Sequence, residues 1–136
     1  MKIALIGYGK MGKAIEAVAL QKGHQVVLKI DVSNEAEFTQ ANADKADVAI
    51  EFTGPHSAVK NILQCIEYGL PVVSGSTGWL EQWAQVEAAC AAKNGTVVYS
   101  SNYSIGVNLF FEINKQLAKL MDPYADYNVS MTEIHY

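Results

Sequence analysis

Gly7, Gly9 and Gly12 follow a short apolar run and open an amphipathic stretch, and that setting points to phosphate chemistry more than the three glycines do alone. In a strand–turn–helix unit, Gly7 permits the tight turn, Gly9 lets a pyrophosphate approach the backbone, and Gly12 lets helix pack closely on strand. The phosphates then meet the helix amino terminus, where unpaired N–H groups carry roughly half a positive charge. Asp31 closes the next apolar run, where this fingerprint expects a carboxylate to accept hydrogen bonds from the adenosine ribose. The turn Gly7, Tyr8, Gly9, Lys10, Met11 and Gly12, with Asp31, is therefore expected to bind NADH or NADPH. Asp31 repels a 2′-phosphate and Val32 offers no cation against it, so NADH is favoured. Lys10 and Lys29 keep NADPH open. Considered singly, a glycine turn, or an Asp just before Ser33 and Asn34, also fits ordinary turn and cap chemistry.

Three further segments follow apolar runs: Phe52-Thr53-Gly54-Pro55, Gly75-Ser76-Thr77-Gly78 and Ser101-Asn102-Tyr103-Ser104. In a parallel sheet all three fall at the carboxyl edge, where open α/β folds hold their ligands, and their small residues let backbone N–H groups reach a carboxamide or carboxylate. Each alone is ordinary turn chemistry; three in succession suggest a site. Cys65 and Cys90 lack CxxC spacing and a nearby His, so they are read as small buried hydrophobes, and no metal is expected.

The elements that must position these residues are short apolar runs at 2–6, 25–30, 47–52, 71–74 and 96–100, alternating with helical patterns. Met11, Ala14, Ile15, Val18 and Ala19 recur at helical spacing and are expected to face a sheet, with Gly23 ending that helix. Further helices are expected over 57–68, over 80–93 closed by Asn94 and Gly95, and from Gly106 through Met121. The polar segment 34–45 reads as loop with at most one helical turn. This is an α/β pattern, a doubly wound parallel sheet of Rossmann type covering 1–123. Residues 127–135 alternate like a strand without a partner, so 124–136 is expected to begin a truncated second α+β domain that binds substrate and assembles the protein. With 136 residues, 50% hydrophobic and 18% charged, the chain has the composition of a folded domain. A net charge of −4 without basic clusters argues against nucleic acid, and no run is apolar enough for a membrane span or a leader. A cytoplasmic protein is expected.

In order along its whole length, the chain resembles the 4-hydroxy-tetrahydrodipicolinate reductases (dihydrodipicolinate reductases) of the diaminopimelate route to lysine. The matching blocks are GYGKMG at 7–12, EFTGP at 51–55, GSTG at 75–78, SSNYSIGVN at 100–108 and EIH at 133–135. The resemblance implies an NAD(P)H-dependent oxidoreductase passing hydride to a dicarboxylated ring. Gly75, Ser76 and Thr77, and Ser100, Ser101, Asn102 and Tyr103 would line the nicotinamide end, and Phe52 and Thr53 would also bind the cofactor. Thr77 and Tyr136 would meet the substrate, His135 would act as acid/base, and the full-length protein would be a homotetramer. Tyr136 stands where the family has a second His, and Ser76 where it often has Thr. The family's Lys and Pro-Ser-Gly-Thr segment fall beyond Tyr136, so these 136 residues are expected to bind cofactor without being active alone. The glycine turn with Asp31 fits aspartate and homoserine dehydrogenases equally, and a dinucleotide-sensing module is the non-enzymatic alternative; SSNYSIGVN and EIH favour the reductase.

Overall fold

A computed structural model describes residues 1–134. The chain runs β1 (Lys2–Ile6), α1 (Lys10–Gln21), β2 (Gln25–Ile30), α2 (Gln40–Ala43), β3 (Val48–Glu51), α3 (Ala58–Glu67), β4 (Val72–Ser74), α4 (Trp83–Lys93), β5 (Val97–Tyr99) and α5 (Ile105–Met121). Two 3-10 turns, Glu35–Glu37 and Leu80–Gln82, precede α2 and α4. The division into compact units falls between Met1–Ser101 and Asn102–Tyr136.

All five strands of the first unit are parallel, in the order β2-β1-β3-β4-β5. The chain builds outward from β1 to β2, then crosses back over β1 to start β3 on its other side. Right-handed crossovers place α1 on one face and the helices after β2 on the other. The core divides accordingly. Ile3, Leu5 and Ala19 pack on the α1 face with half-buried Ile15, Val26, Val48 and Ile50. Ala4, Ile6, Ala49 and Val72 face Phe38, Ile62, Cys65, Ile66, Trp79 and Val86 on the opposite face. Side-chain alternation along each strand produces the split, and a central strand covered on both faces is why β1 is buried from Ile3 to Ile6. This is the doubly wound Rossmann-type sheet expected from the alternating pattern.

The face of α1 differs from the expected stripe. Gly12 and Ala19 are buried and Ile15 half-buried, while Met11 and Val18 lie about half exposed. A Cβ on Gly12 would sit 2.3 Å from the Gly7 carbonyl oxygen, so that contact sets the rotation of the helix and turns Met11 outward. The segment 34–45, expected to hold one helical turn at most, holds two short ones. Phe38 anchors them: it is buried and meets Tyr68 edge-on at 5.4 Å, and Gln64 Nε2 donates to its carbonyl at 3.0 Å. Thr39 caps α2, its side chain accepting from the Asn42 N–H. Asn94 ends α4 in the left-handed conformation, as its position suggested.

In the second unit, Ser104 caps α5 by accepting from the Val107 N–H, and Asn108 Nδ2 donates to the carbonyls of Asn102 and Ser104. No residue of α5 is buried, and Leu109, Phe110, Ile113 and Leu120 are exposed. Residues 128–134 form no strand. Alternation expresses itself as β-structure only when a neighbouring strand satisfies the backbone, and none pairs with them among the described residues.

Two measurements check this packing. Alanine in a helix interior ordinarily stabilises by about 1 kcal/mol over glycine. Gly12→Ala is expected to do the reverse, losing at least about 2 kcal/mol in urea unfolding because the methyl meets backbone that cannot yield. Burial, with the Glu51 carboxylate adding to it, pushes the Cys65 thiol up to about 12. In the folded chain at pH 8, Cys65 should therefore resist iodoacetamide while half-buried Cys90 reacts, and mass spectrometry should find Cys65 modified only after urea is added.

Candidate functional site

The carboxyl ends of β1, β2 and β3 enclose a cavity of about 230 Å³, lined by Gly7, Tyr8, Gly9, Asp31, Phe52 and Thr53 of the expected residues. Glu35, Ser57 and Asn61 line it as well and had no signal in the sequence beyond being polar. It opens beside the crossing between β1 and β3, the place where a doubly wound sheet leaves a crevice.

The glycines perform separate tasks. Gly7 has φ of 95°, and a Cβ there would lie 2.1 Å from the Phe52 carbonyl oxygen, so the β1 turn and the β3 turn are in backbone contact. Gly9 is the reverse case, with no atom within 4 Å of a Cβ placed on it. It stands at the N-cap of α1, which has neither a side-chain cap nor an acidic residue in its first turn. The amide donors of Lys10, Met11 and Gly12 begin that turn and have no earlier carbonyl in the helix to bond. A concave surface with free space over Gly9 and unpaired donors beneath suits an anion of phosphate type.

Tyr8 is held from the side. Its hydroxyl donates to Glu16, whose Oε1 lies 2.7 Å from Lys29 Nζ, and that ammonium sits 4.9 Å from the Tyr8 ring centre. Lys29 beside it holds the Glu16 carboxyl below the usual carboxylate range, and Glu16 in turn holds the Lys29 ammonium above its own. Lys29, expected to be available to a 2′-phosphate, is instead committed to Glu16 and Tyr8, because its place on β2 turns it toward α1. Asp31 stands at the end of β2, where the Asn34 side chain accepts from the Asp31 N–H at 2.7 Å and donates to the Lys29 carbonyl at 2.9 Å. Asp31 Oδ1 accepts from the Val32 N–H at 2.8 Å, leaving Oδ2 without a protein partner among the described residues.

At the ends of β3 and β4 the organising group is Glu51, which the sequence reading passed over. It is wholly buried, with Oε1 accepting from Thr53 N–H at 2.9 Å, Thr53 Oγ1 at 2.5 Å and Ser76 Oγ at 2.7 Å, and Oε2 from Ser74 Oγ at 2.5 Å. An acid closing the apolar run Val48-Ala49-Ile50 was the available signal. The network accounts for the side chains of the neighbouring residues. The Ser76 hydroxyl faces inward, donating to Glu51 and accepting from Thr53 N–H at 2.8 Å. Gly75 is close to the Phe52 ring, 2.1 Å from where its Cβ would be, so its missing side chain makes room for that ring. Thr77 is exposed, and Ser100 continues the β5 ladder through its N–H to the Ser74 carbonyl. Ser101 ends the first unit. Asn102 and Tyr103 belong to the second, where Asn102 Oδ1 accepts from the Ser104 N–H at 2.8 Å. His135 and Tyr136 lie outside the described residues. Among the described residues no cluster of metal-ligating side chains occurs, and no helix is long and apolar enough to cross a membrane.

Comparison with known proteins agrees with this geometry. Residues 1–103 match the family described as dihydrodipicolinate reductase, N-terminus. A 4-hydroxy-tetrahydrodipicolinate reductase of Christiangramia forsetii is 43% identical over all 136 residues, which cover 56% of its length. The chain thus spans little more than half of that relative. Solved structures of homoserine dehydrogenases from Thiobacillus denitrificans and Thermoplasma acidophilum superpose with TM-scores of 0.52 and 0.50, each at 18% identity over 73% of this chain and over 29% and 42% of theirs. At that identity they speak for the dehydrogenase type of nucleotide-binding fold alone. The glycine turn, the edge network and the match over 1–103 together place this chain in the dihydrodipicolinate reductase family, as its amino-terminal domain.

Proposed function

We propose that this chain is the dinucleotide-binding part of a 4-hydroxy-tetrahydrodipicolinate reductase, an NAD(P)H-dependent oxidoreductase of diaminopimelate and lysine biosynthesis in the cytoplasm. One observation carries the reading: the open space over Gly9, the amino terminus of α1 and the unshared oxygen of Asp31 line or adjoin one cavity at the strand crossing. These residues suit a dinucleotide with its pyrophosphate on Gly9, Lys10 and Met11 and its adenosine ribose on Asp31. Bound there, the nicotinamide supplies a hydride for the substrate ring. The chain's own contribution is orientation: it fixes the cofactor's phosphates and ribose so that the other end crosses toward β3 and β4. NADH is the favoured cofactor, since Asp31 and Glu35 both line the cavity while Lys29 is paired elsewhere. His135 is proposed as the acid/base residue and Tyr136, with Thr77, as a substrate contact. Residues 1–123 are proposed as the nucleotide domain and 124–136 as the entry into a substrate-binding, tetramer-forming domain of the kind the relative's remaining length would hold. The dicarboxylate substrate would be recognised mainly there, so the 136 residues alone should bind cofactor with negligible reductase turnover.

Calorimetric titration tests the reading. NADH should bind more tightly than NADPH, and Asp31→Ala should weaken NADH about tenfold through loss of hydrogen bonds to a charged acceptor while leaving NADPH less affected. Gly9→Ala should keep its unfolding free energy within about 1 kcal/mol, as no atom opposes the methyl, yet lose NADH binding because the methyl occupies the pyrophosphate's approach. Undiminished binding in Gly9→Ala would overturn the assignment of the turn.

A further inference from the structure

Glu51 belongs neither to the glycine turn nor to the ribose contact, yet it is the most completely satisfied polar group at the ligand-bearing edge. A carboxylate with no exposed surface is costly to bury, and four donated hydrogen bonds offset that cost only while their donors stay in place. The four donors come from β4 and from the turns after β3 and β4. The turn at Ser76 is therefore fixed twice over through its hydroxyl, by Glu51 and by the Thr53 N–H.

A third bond decides what the turn presents. Trp79, buried to 1% exposure, donates its indole N–H to the Ser76 carbonyl at 2.8 Å. In a trans peptide the carbonyl and the following N–H point in opposite directions, and there is no cis peptide bond among the described residues. With the Ser76 carbonyl drawn inward onto the indole, the Thr77 N–H is directed away from the core, and it makes no hydrogen bond within the described residues. It lies past the end of β4, on the side of the strand crossing opposite Asp31, where the second half of a dinucleotide must run.

We infer that Glu51 is a positioning residue for the nicotinamide end of the cofactor: by holding Ser76 and Thr53 it aims the Thr77 N–H at an acceptor such as the ring carboxamide. The inference rests on the dinucleotide reading above. It separates two functions along the sheet edge, adenosine diphosphate held by the β1 and β2 turns, and the nicotinamide end oriented by a buried acid that touches no ligand.

The test compares NADH with ADP-ribose, which has the same adenosine, pyrophosphate and second ribose but no nicotinamide. Calorimetry would be run on the 136-residue chain, on Glu51→Gln, which keeps the shape but replaces an acceptor oxygen with a donor, and on Ser76→Ala, which removes one hydroxyl and is the milder change. The unmodified chain should bind NADH more tightly than ADP-ribose. In Glu51→Gln that surplus should fall about tenfold or vanish, with ADP-ribose affinity held within about twofold; Ser76→Ala should move the same way by less. Should Glu51→Gln fail to fold by circular dichroism, Ser76→Ala decides. Equal weakening of both ligands would make the network merely structural, and unchanged NADH affinity would remove its role; either overturns the inference, as does an unmodified chain that binds the two ligands equally. An unmodified chain that binds neither ligand would instead overturn the dinucleotide reading itself.

Discussion

The backbone contact between Gly12 and Gly7 governs the nucleotide-binding half of this structure. With 2.3 Å between the Gly7 carbonyl oxygen and the place a Cβ would take, α1 lies as close to the end of β1 as two backbones can. That closeness sets the helix rotation, buries Ala19 against the sheet and leaves Met11 outside. It also carries the amino terminus of α1 to the edge where Gly9 is open. Gly7 adds a second constraint, since its positive φ and its contact with the Phe52 carbonyl tie the first turn to the third strand. The open surface at the amino terminus of α1 is thus a by-product of close packing, and its most exposed glycine, Gly9, is the one that packing does not need.

On the other side of the strand crossing the organising principle is polar. Glu51 ends β3 at a point where an apolar residue would have satisfied the core, and the hydroxyls of Thr53, Ser74 and Ser76 converge on it. Small hydroxyl residues at strand ends are usually read as ligand contacts. Here they are the internal partners of a buried charge, and what faces outward is backbone. The Phe52 ring over Gly75 completes this arrangement by filling the space beside the network.

Charge at the end of β2 follows from which face each residue occupies. Alternation sends Lys29 toward α1, where Glu16 and Tyr8 take it up, while Asp31, past the last ladder pair and with its N–H held by the Asn34 side chain, lines the cavity.

Much of this protein was determined by local sequence. Apolar runs of strand length separated by helical stripes dictate a parallel sheet, since a helix between successive strands returns the chain to run in the same direction, and the glycine turn and Asp31 meet at one cavity because spacing along one strand–turn–helix unit is preserved in space. Strand ends, the left-handed Asn94 and the start of α5 are likewise local and were legible. Contacts between residues distant in sequence were decided only by the tertiary structure: the rotation of α1, the pairing of Lys29 with Glu16, the anchoring of 34–45 through Phe38 on Tyr68, and the convergence of Ser74 and Ser76 on Glu51. Periodicity states that a side chain turns inward, but not what it meets there. A hydroxyl can serve a ligand or a buried acid equally well until the fold brings one of them within hydrogen-bonding distance.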